Sequence, residues 1–392
     1  MARNKSNRRQ VAFLFGEGNC NTAALLGGKG AGLAELVSLG MPVPPGFTVT
    51  TSVARAFAQH RRTPGRLAWH VERGMAAIER QTGKRFGDPG NPLLVSVRSG
   101  AAVSMPGMMD TVLNLGMNQE ITRGLAAVTG PRFAWDCYRR FLAMFGEIVL
   151  GIPRSFFAEI IDKVKADRGL VMDSQLSANA LEQVCQEYRT MMELLERPMI
   201  DEPQEQLEKA LVAVLESWNN PRAREYRRIN RIPGDLGTAV NVQAMVFGNR
   251  DSASGTGVAF SHNCNTGEPG LWGEFLADAQ GEDVVAGSRT PMPIAGMADW
   301  NPELYSRLED IVGKLAAHRN HVVDVEFTVE SGRLYILQVR AAKLAPEAAV
   351  TIATHLVWEE RATRQEALAL VPAEHVQALK TPAFNPRALE LA

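Results

Sequence analysis

The sequence predicts an α+β fold in which a block of helices interrupts two stretches of short strands. Three observations carry this. The N-terminal stretch alternates glycine-punctuated turns with short apolar runs, predicting strands over 11–15 and 93–97 and a helix over 30–39. From about 118 to 228 the apolar residues recur at helical spacing with few β-branched clusters, predicting helices over 132–149, 178–195 and 203–218. Strand-like composition returns at 239–246 and runs to about 340.

The elements follow in order. Pro44-Pro45-Gly46 breaks the chain before an apolar run at 47–50. Pro203 suits the first turn of its helix, where a missing N–H leaves no bond unmade. The C-terminal stretch turns helical again at 348–359 and 364–370. The expected division is 1–117, an inserted helical subdomain at 118–200, a return at 201–243, a second α/β part at 244–342, and a helical tail at 343–392.

The chain has 392 residues, 45% hydrophobic and 22% charged, with a formal net charge of −1. That balance suits a soluble globular protein and argues against nucleic-acid or membrane surfaces as partners. No apolar run reaches the roughly 18 residues a membrane span requires. The basic start (Arg3, Lys5, Arg8, Arg9) lacks a following apolar region and reads as a frayed terminus rather than a targeting signal. Cys20, Cys137, Cys185 and Cys264 form neither a disulfide framework nor a zinc pattern, which points to a reducing, cytoplasmic setting.

Several segments carry candidate chemistry. Leu25-Leu26-Gly27-Gly28-Lys29-Gly30-Ala31-Gly32-Leu33 offers glycines that let backbone approach a polyphosphate and one lysine to meet its charge. No Ser or Thr follows that lysine, so this is not a P-loop, and a plain loop before a helix is the competing reading. At 95–101 an apolar strand ends at Arg98, whose forked donors suit phosphate oxygens; a surface arginine at a strand end is the alternative. The small-residue run from Gly248 through Ser254, Gly255, Thr256 and Gly257 reads as a loop able to fold over phosphates, or as a flexible hairpin.

The most specific physical signal is a predicted hairpin. Two β-rich runs, 322–329 and 333–340, flank Glu330-Ser331-Gly332, which reads as a three-residue connection. Pairing Val329 with Arg333 sets Asp324 opposite Gln338 and Glu326 opposite Ile336. Alternation then gathers Asp324, Glu326, Gln338 and Arg340 on one face, with Val323, Val325, Phe327, Leu337 and Val339 on the other. Carboxylate and amide oxygens are ligands Mg²⁺ prefers, and Arg340 could neutralise a transferring phosphoryl group. A solvated face with an ordinary cross-strand ion pair is the bland alternative.

In this order the segments resemble the nucleotide-binding part of pyruvate, phosphate dikinases. Ser104-Met105-Pro106-Gly107-Met108-Met109-Asp110-Thr111-Val112-Leu113-Asn114-Leu115-Gly116 is similar to the signature that follows the family's phosphate-binding arginine. Segments 217–223, 237–245 and 279–287 are similar too. The resemblance implies an ATP-grasp fold with an inserted helical subdomain and a C-terminal helical linker, using ATP and Mg²⁺. It places Lys29 and Arg98 on ATP phosphates and Ser254, Gly255, Thr256 and Gly257 over them. Gln243 falls near the adenine, Glu282 among the nucleotide contacts, and Glu326 and Gln338 at Mg²⁺, with Asp324 nearby and Arg340 on the transferring group. The implied reaction passes a pyrophosphoryl group from ATP to a histidine on a separate carrier domain. ATP and AMP are thus the implied small-molecule partners, the carrier is a partner in trans or on a longer chain, and a homodimer stays open.

Two departures stand out. The family's usual Gly-Asn-Met-Gly is Gly248-Asn249-Arg250-Asp251 here, and its Thr-Arg-Asn-Pro is Ser261-His262-Asn263-Cys264. An acid beside phosphates is expected to weaken binding or re-aim the loop, and His262 removes a fixed positive charge at neutral pH. None of the seven histidines has the carrier's Gly-Gly-x-Thr-Ser-His-Ala-Ala neighbours. The stretch 363–392 resembles the linker into that carrier, so both a fragment and a natural short homologue stay open. The second functional reading is a nucleotide-binding or regulatory homologue without turnover.

Overall fold

The computed structural model describes residues 10–18, 22–285 and 289–380. The basic N-terminal residues, Cys20, the end of the 279–287 motif and the end of the predicted linker lie outside them. The chain divides into two compact units, Met1–Val246 and Phe247–Ala392.

In the first unit, β1 (Ala12–Leu14), α1 (Ala23–Ser38), β2 (Gly46–Val49), α2 (Thr51–His60) and α3 (Leu67–Thr82) come first. The short β3 (Arg85–Phe86) and β4 (Pro92–Leu93) precede β5 (Val95–Ala101) and β6 (Thr111–Leu115). Helices α4 (Gln119–Thr129), α5 (Pro131–Ile148), α6 (Arg154–Ala166), α7 (Ala178–Leu194), α8 (Pro203–Ser217) and α9 (Pro221–Ile229) follow, and β7 (Thr238–Ala244) returns to the sheet. The sheet order is β1-β2-β7-β5-β6, antiparallel throughout. Starts of the helical block are written locally: Asn118, Ser177 and Asn220 each accept a bond from the backbone N–H three residues on, and prolines open α5, α8 and α9. Fully buried Tyr138, Phe141, Phe145 and Tyr188 pack this block together.

The second unit holds β8 (Gly255–His262), β9 (Pro269–Ala277), α10 (Gly281–Val285), β10 (Met292–Pro293), α11 (Gly296–Trp300), α12 (Pro302–Arg319), β11 (Val323–Glu330) and β12 (Arg333–Ala341). Three helices close it: α13 (Pro346–Trp358), α14 (Arg364–Ala369) and α15 (Ala373–Lys380). Its antiparallel sheet runs β10-β9-β8-β11-β12. Val323, Val325, Phe327 and Val329 on β11, with Leu334, Ile336 and Val339 on β12, bury one face against α12, which offers Leu304, Leu308, Ile311 and Leu315.

Three local expectations need correction. The glycine-rich 25–33 segment is helical from Ala23, with one break at Gly27 (φ 68°, ψ 168°), rather than a loop before a helix at 30. Gly255, Thr256 and Gly257 belong to β8, a central strand, so the loop proper ends at Ser254. The hairpin connection is two residues, Ser331 (φ 48°) and Gly332 (φ 74°), and Glu330 pairs with Arg333. Positive φ at both positions gives the twist that two-residue hairpins favour.

That shorter turn moves the pairing by one residue, and a bulge after Glu326 moves it one further in the same direction, which restores the alternation of faces but not the expected partners. Asp324 faces Arg340 and Glu326 faces Gln338, while Phe327 faces Ile336. Leu337 is the unmatched residue, so it is half-buried and Ile336, not Leu337, takes the buried position.

Candidate nucleotide site

In the first unit the structure brings Lys29 and Arg98 to one face of the sheet. The glycines that achieve this serve the approach of α1 to the sheet. A Cβ on Gly27 would lie 1.6 Å from the Gly100 carbonyl oxygen, and one on Gly30 would lie 2.8 Å from Thr48 Oγ1. Gly100 in turn leaves space beside the Lys29 stem, whose Cβ lies 3.3 Å from where a Cβ of residue 100 would be. Arg98 is two residues back on β5, hence on the same face as Gly100. Both basic side chains are half-buried.

Beside both lies Asn241, from the 237–245 segment, to which no role was assigned. It pairs with Arg98 across β5 and β7, and its Oδ1 accepts a 2.8 Å bond from Thr48 Oγ1. Its Nδ2 is buried without a partner. Two amides spaced by two in an otherwise apolar strand, Asn241 and Gln243, were the available signal. Gln243 is buried and donates to the Pro44 carbonyl at 3.1 Å, tying β7 to the Pro44-Pro45-Gly46 turn.

The methionine-rich signature is divided. Residues 111–115 form β6, while Met105, Met108 and Met109 pack against Trp218 and its neighbours. Asn220 donates to the Met108 carbonyl at 3.0 Å, and Arg227 stacks over the Trp218 ring at 4.1 Å.

In the second unit the four predicted platform residues do share a face. Arg340 Nε donates to Asp324 Oδ2 at 2.6 Å, and its Nη2 lies 3.8 Å from Glu326 Oε1. Asp324 is buried, and its Oδ1 has no hydrogen-bond partner. Burial pushes its carboxyl above the usual aspartate range, with Arg340 pulling the other way. Burial disfavours the Arg340 charge too, but the Asp324 bond and charge outweigh it and hold the guanidinium protonated. An unsatisfied buried carboxylate oxygen beside Glu326 and Gln338 makes an all-oxygen donor set that fits a hard divalent cation such as Mg²⁺. Among the described residues no group of three or more His, Cys, Asp or Glu could hold a metal by itself, so further oxygens would have to come from a ligand or water.

The strand positions Gly255, Thr256 and Gly257 are buried, and Thr256 Oγ1 donates to the Phe327 carbonyl at 3.1 Å. Ser254 Oγ donates to Asp251 Oδ1 at 2.7 Å and accepts from the Ser331 N–H at 2.9 Å. Glu282 is half-buried in the first turn of α10. His262 is half-buried with Nδ1 3.1 Å from Ser261 Oγ; burial, then Arg361, lowers its pKa, so the ring is neutral at pH 7. No helix among the described residues is long and apolar enough to cross a membrane.

Basic groups over glycine-lined backbone in the first unit, and an acid–amide–guanidinium platform in the second, are each chemistry that nucleotide-binding proteins use. The family described as pyruvate phosphate dikinase, AMP/ATP-binding domain, matches residues 23–67 and 64–295. The chain belongs to that family. It is 47% identical over 384 residues to pyruvate, phosphate dikinase of Clostridium symbiosum, covering 96% of this chain and 44% of that protein. It is 48% identical over 386 residues to pyruvate, phosphate dikinase 2 of Zea mays, covering 97% of this chain and 44% of the relative. Against pyruvate, phosphate dikinase 1, chloroplastic, of Oryza sativa subsp. japonica the identity is 49% over 383 residues, covering 96% and 40%. The chain therefore spans less than half the length of these relatives.

Proposed function

We propose that this chain is an ATP-grasp module that binds Mg–ATP and passes a pyrophosphoryl group to a histidine on a carrier domain, supplied in trans or by a longer chain. The observation that carries the reading is the β11–β12 platform, where Asp324 faces Arg340 and Glu326 faces Gln338 with one carboxylate oxygen left unpartnered. Asp324, Glu326 and Gln338 would hold Mg²⁺, which when bound neutralises charge on phosphate oxygens. Arg340, oriented by Asp324, keeps guanidinium N–H groups for the transferring group. Lys29 and Arg98 are the phosphate contacts on the first unit, where positioned charge rather than covalent chemistry lowers the barrier.

On the second unit, Ser254, Gly255, Thr256 and Gly257 are assigned to nucleotide contact chiefly through backbone, because the Ser254 and Thr256 hydroxyls are already committed. Glu282 stays in the nucleotide set. Gln243 is assigned next to the base through its strand, its side chain being engaged by Pro44.

Calorimetric titration of Mg–ATP and of AMP into wild type and Arg340→Ala tests the first step. Wild type should bind both, and the variant should lose Mg–ATP affinity by about tenfold to a hundredfold, the range for a charge-assisted contact. Incubation with labelled ATP and an isolated carrier domain tests transfer. Labelled phosphohistidine supports it; ATP binding with no label on the histidine favours the homologue without turnover.

A further inference from the structure

The acid that breaks the family's usual glycine pattern has a position of its own. The loop before β8, residues 248–254, is bonded on two sides. Toward the 278–280 segment, the Ala279 N–H donates to the Gly248 carbonyl at 2.9 Å, and the Asp278 N–H to the Ser254 carbonyl at 2.9 Å. Gln280 Nε2 adds a bond to Asn249 Oδ1 at 3.1 Å. Toward the β11–β12 turn, the Gly332 N–H donates to the Ala253 carbonyl at 2.8 Å. Arg250 Nη1 lies 3.2 Å from Glu330 Oε1.

Asp251 joins these contacts. Its Oδ1 accepts from the Ala253 N–H at 3.0 Å and from Ser254 Oγ at 2.7 Å, while its Oδ2 accepts from Ser331 Oγ. One carboxylate oxygen thus braces the loop's own backbone and the other reaches across to the turn, on a residue whose outer side is exposed. Its pKa is lowered, first by the Ser331 bond, so it stays charged at neutral pH. A loop with this many partners on both flanks resists opening, since each escape breaks bonds on two segments at once.

We propose that Asp251 is a positioning residue that clasps the 248–254 loop to the Ser331–Gly332 turn. The loop then presents its backbone to nucleotide phosphate from a preset conformation instead of folding over the ligand as a lid. The acid acts through the loop and not by touching phosphate, which reconciles a negative charge with a phosphate site. The turn it grips joins the two strands that bear Asp324, Glu326, Gln338 and Arg340, so loop and platform are fixed to each other within this unit. The phosphate part of this inference rests on the function proposed above.

The test compares wild type, Asp251→Ala, Ser331→Ala and the conservative Asp251→Asn. Hydrogen exchange of the ligand-free proteins reads the clasp without reference to nucleotide. Exchange across 250–254 and 331–332 should rise tenfold or more in Asp251→Ala and clearly in Ser331→Ala, with the β8–β11 ladder unchanged and Asp251→Asn recovering most protection. Unchanged exchange in both alanine variants overturns the clasp, whether or not the protein binds ATP. Calorimetry with Mg–ATP reads its purpose: dissociation constants five- to tenfold weaker in both alanine variants support a preset loop. Equal or tighter binding means the loop works as a lid and overturns the proposal. If wild type itself fails to bind ATP, the nucleotide reading falls, and the exchange data still decide the clasp.

Discussion

Arg340 Nε donates to Asp324 Oδ2 at 2.6 Å across adjacent strands, while the other oxygen of that carboxylate is buried and unpartnered. The pair is therefore half satisfied, and its acid side is held in a state that burial disfavours.

The first prediction follows from the sign of that shift. A carboxyl whose folded pKa lies above its unfolded value stabilises the fold fully below the unfolded pKa and progressively less as pH rises through the folded one. Asp324→Asn, which cannot ionise, should lack this loss. Thermal melts of ligand-free protein from pH 4 to pH 8 should show the variant gaining on wild type as pH rises. A constant offset across that range would contradict the assignment.

Removing ligand should be equally informative. Mg–ATP at about a hundred times its dissociation constant adds roughly 2.7 kcal/mol to the folded state, which shifts a melt by several degrees. Chelating the metal with EDTA should cancel most of that gain in wild type and little of it in Asp324→Ala, where the metal-dependent part is already gone.

Gly27→Ala should be severe. The backbone there combines φ 68° with a Gly100 carbonyl oxygen where a Cβ would sit, so about 3 kcal/mol or more of stability should be lost in urea unfolding. Gly40→Ala is the matched control: it has φ 69° but nothing within 4 Å, and should cost only about 1 kcal/mol.

Asn220 has two tasks, capping α9 through the Ala223 N–H at 2.7 Å and holding the Met108 carbonyl. Asn220→Ala should lower stability by about 1–2 kcal/mol and raise proteolysis within 104–110. Cleavage at an unchanged rate would mean that packing on Trp218 alone holds the methionine segment.

The helices were legible because their starts and periods are local: Pro131–Ile148, Ala178–Leu194 and Pro203–Ser217 lie within a residue or so of the spans expected from spacing. The hairpin was legible in a different way. Its polar face was assigned correctly although its pairings were not, because the two-residue turn reverses the alternation once and the Leu337 bulge reverses it again. Neither event leaves a mark in composition, since Glu330-Ser331-Gly332 is compatible with either loop length and Leu337 is as apolar as Ile336. The glycine-rich segment misled for a related reason. Glycine records only that something comes close, and at Gly27 and Gly30 the close neighbours are Gly100 and Thr48. Asp251 was legible as an oddity, but its partner lies 80 residues on, at Ser331, and only the fold brings them together.

The two buried amides of β7 have a consequence for how the chain assembles. Strand β7 lies between β2 and β5, and Asn241 and Gln243 meet Thr48 and the Pro44 carbonyl only in the native pairing. Threading this strand one position out would reverse its faces and seal both amides in hydrocarbon, forfeiting their bonds. Misaligned sheets are thereby rejected during assembly, and the spot where Arg98 ends up is decided before any nucleotide arrives.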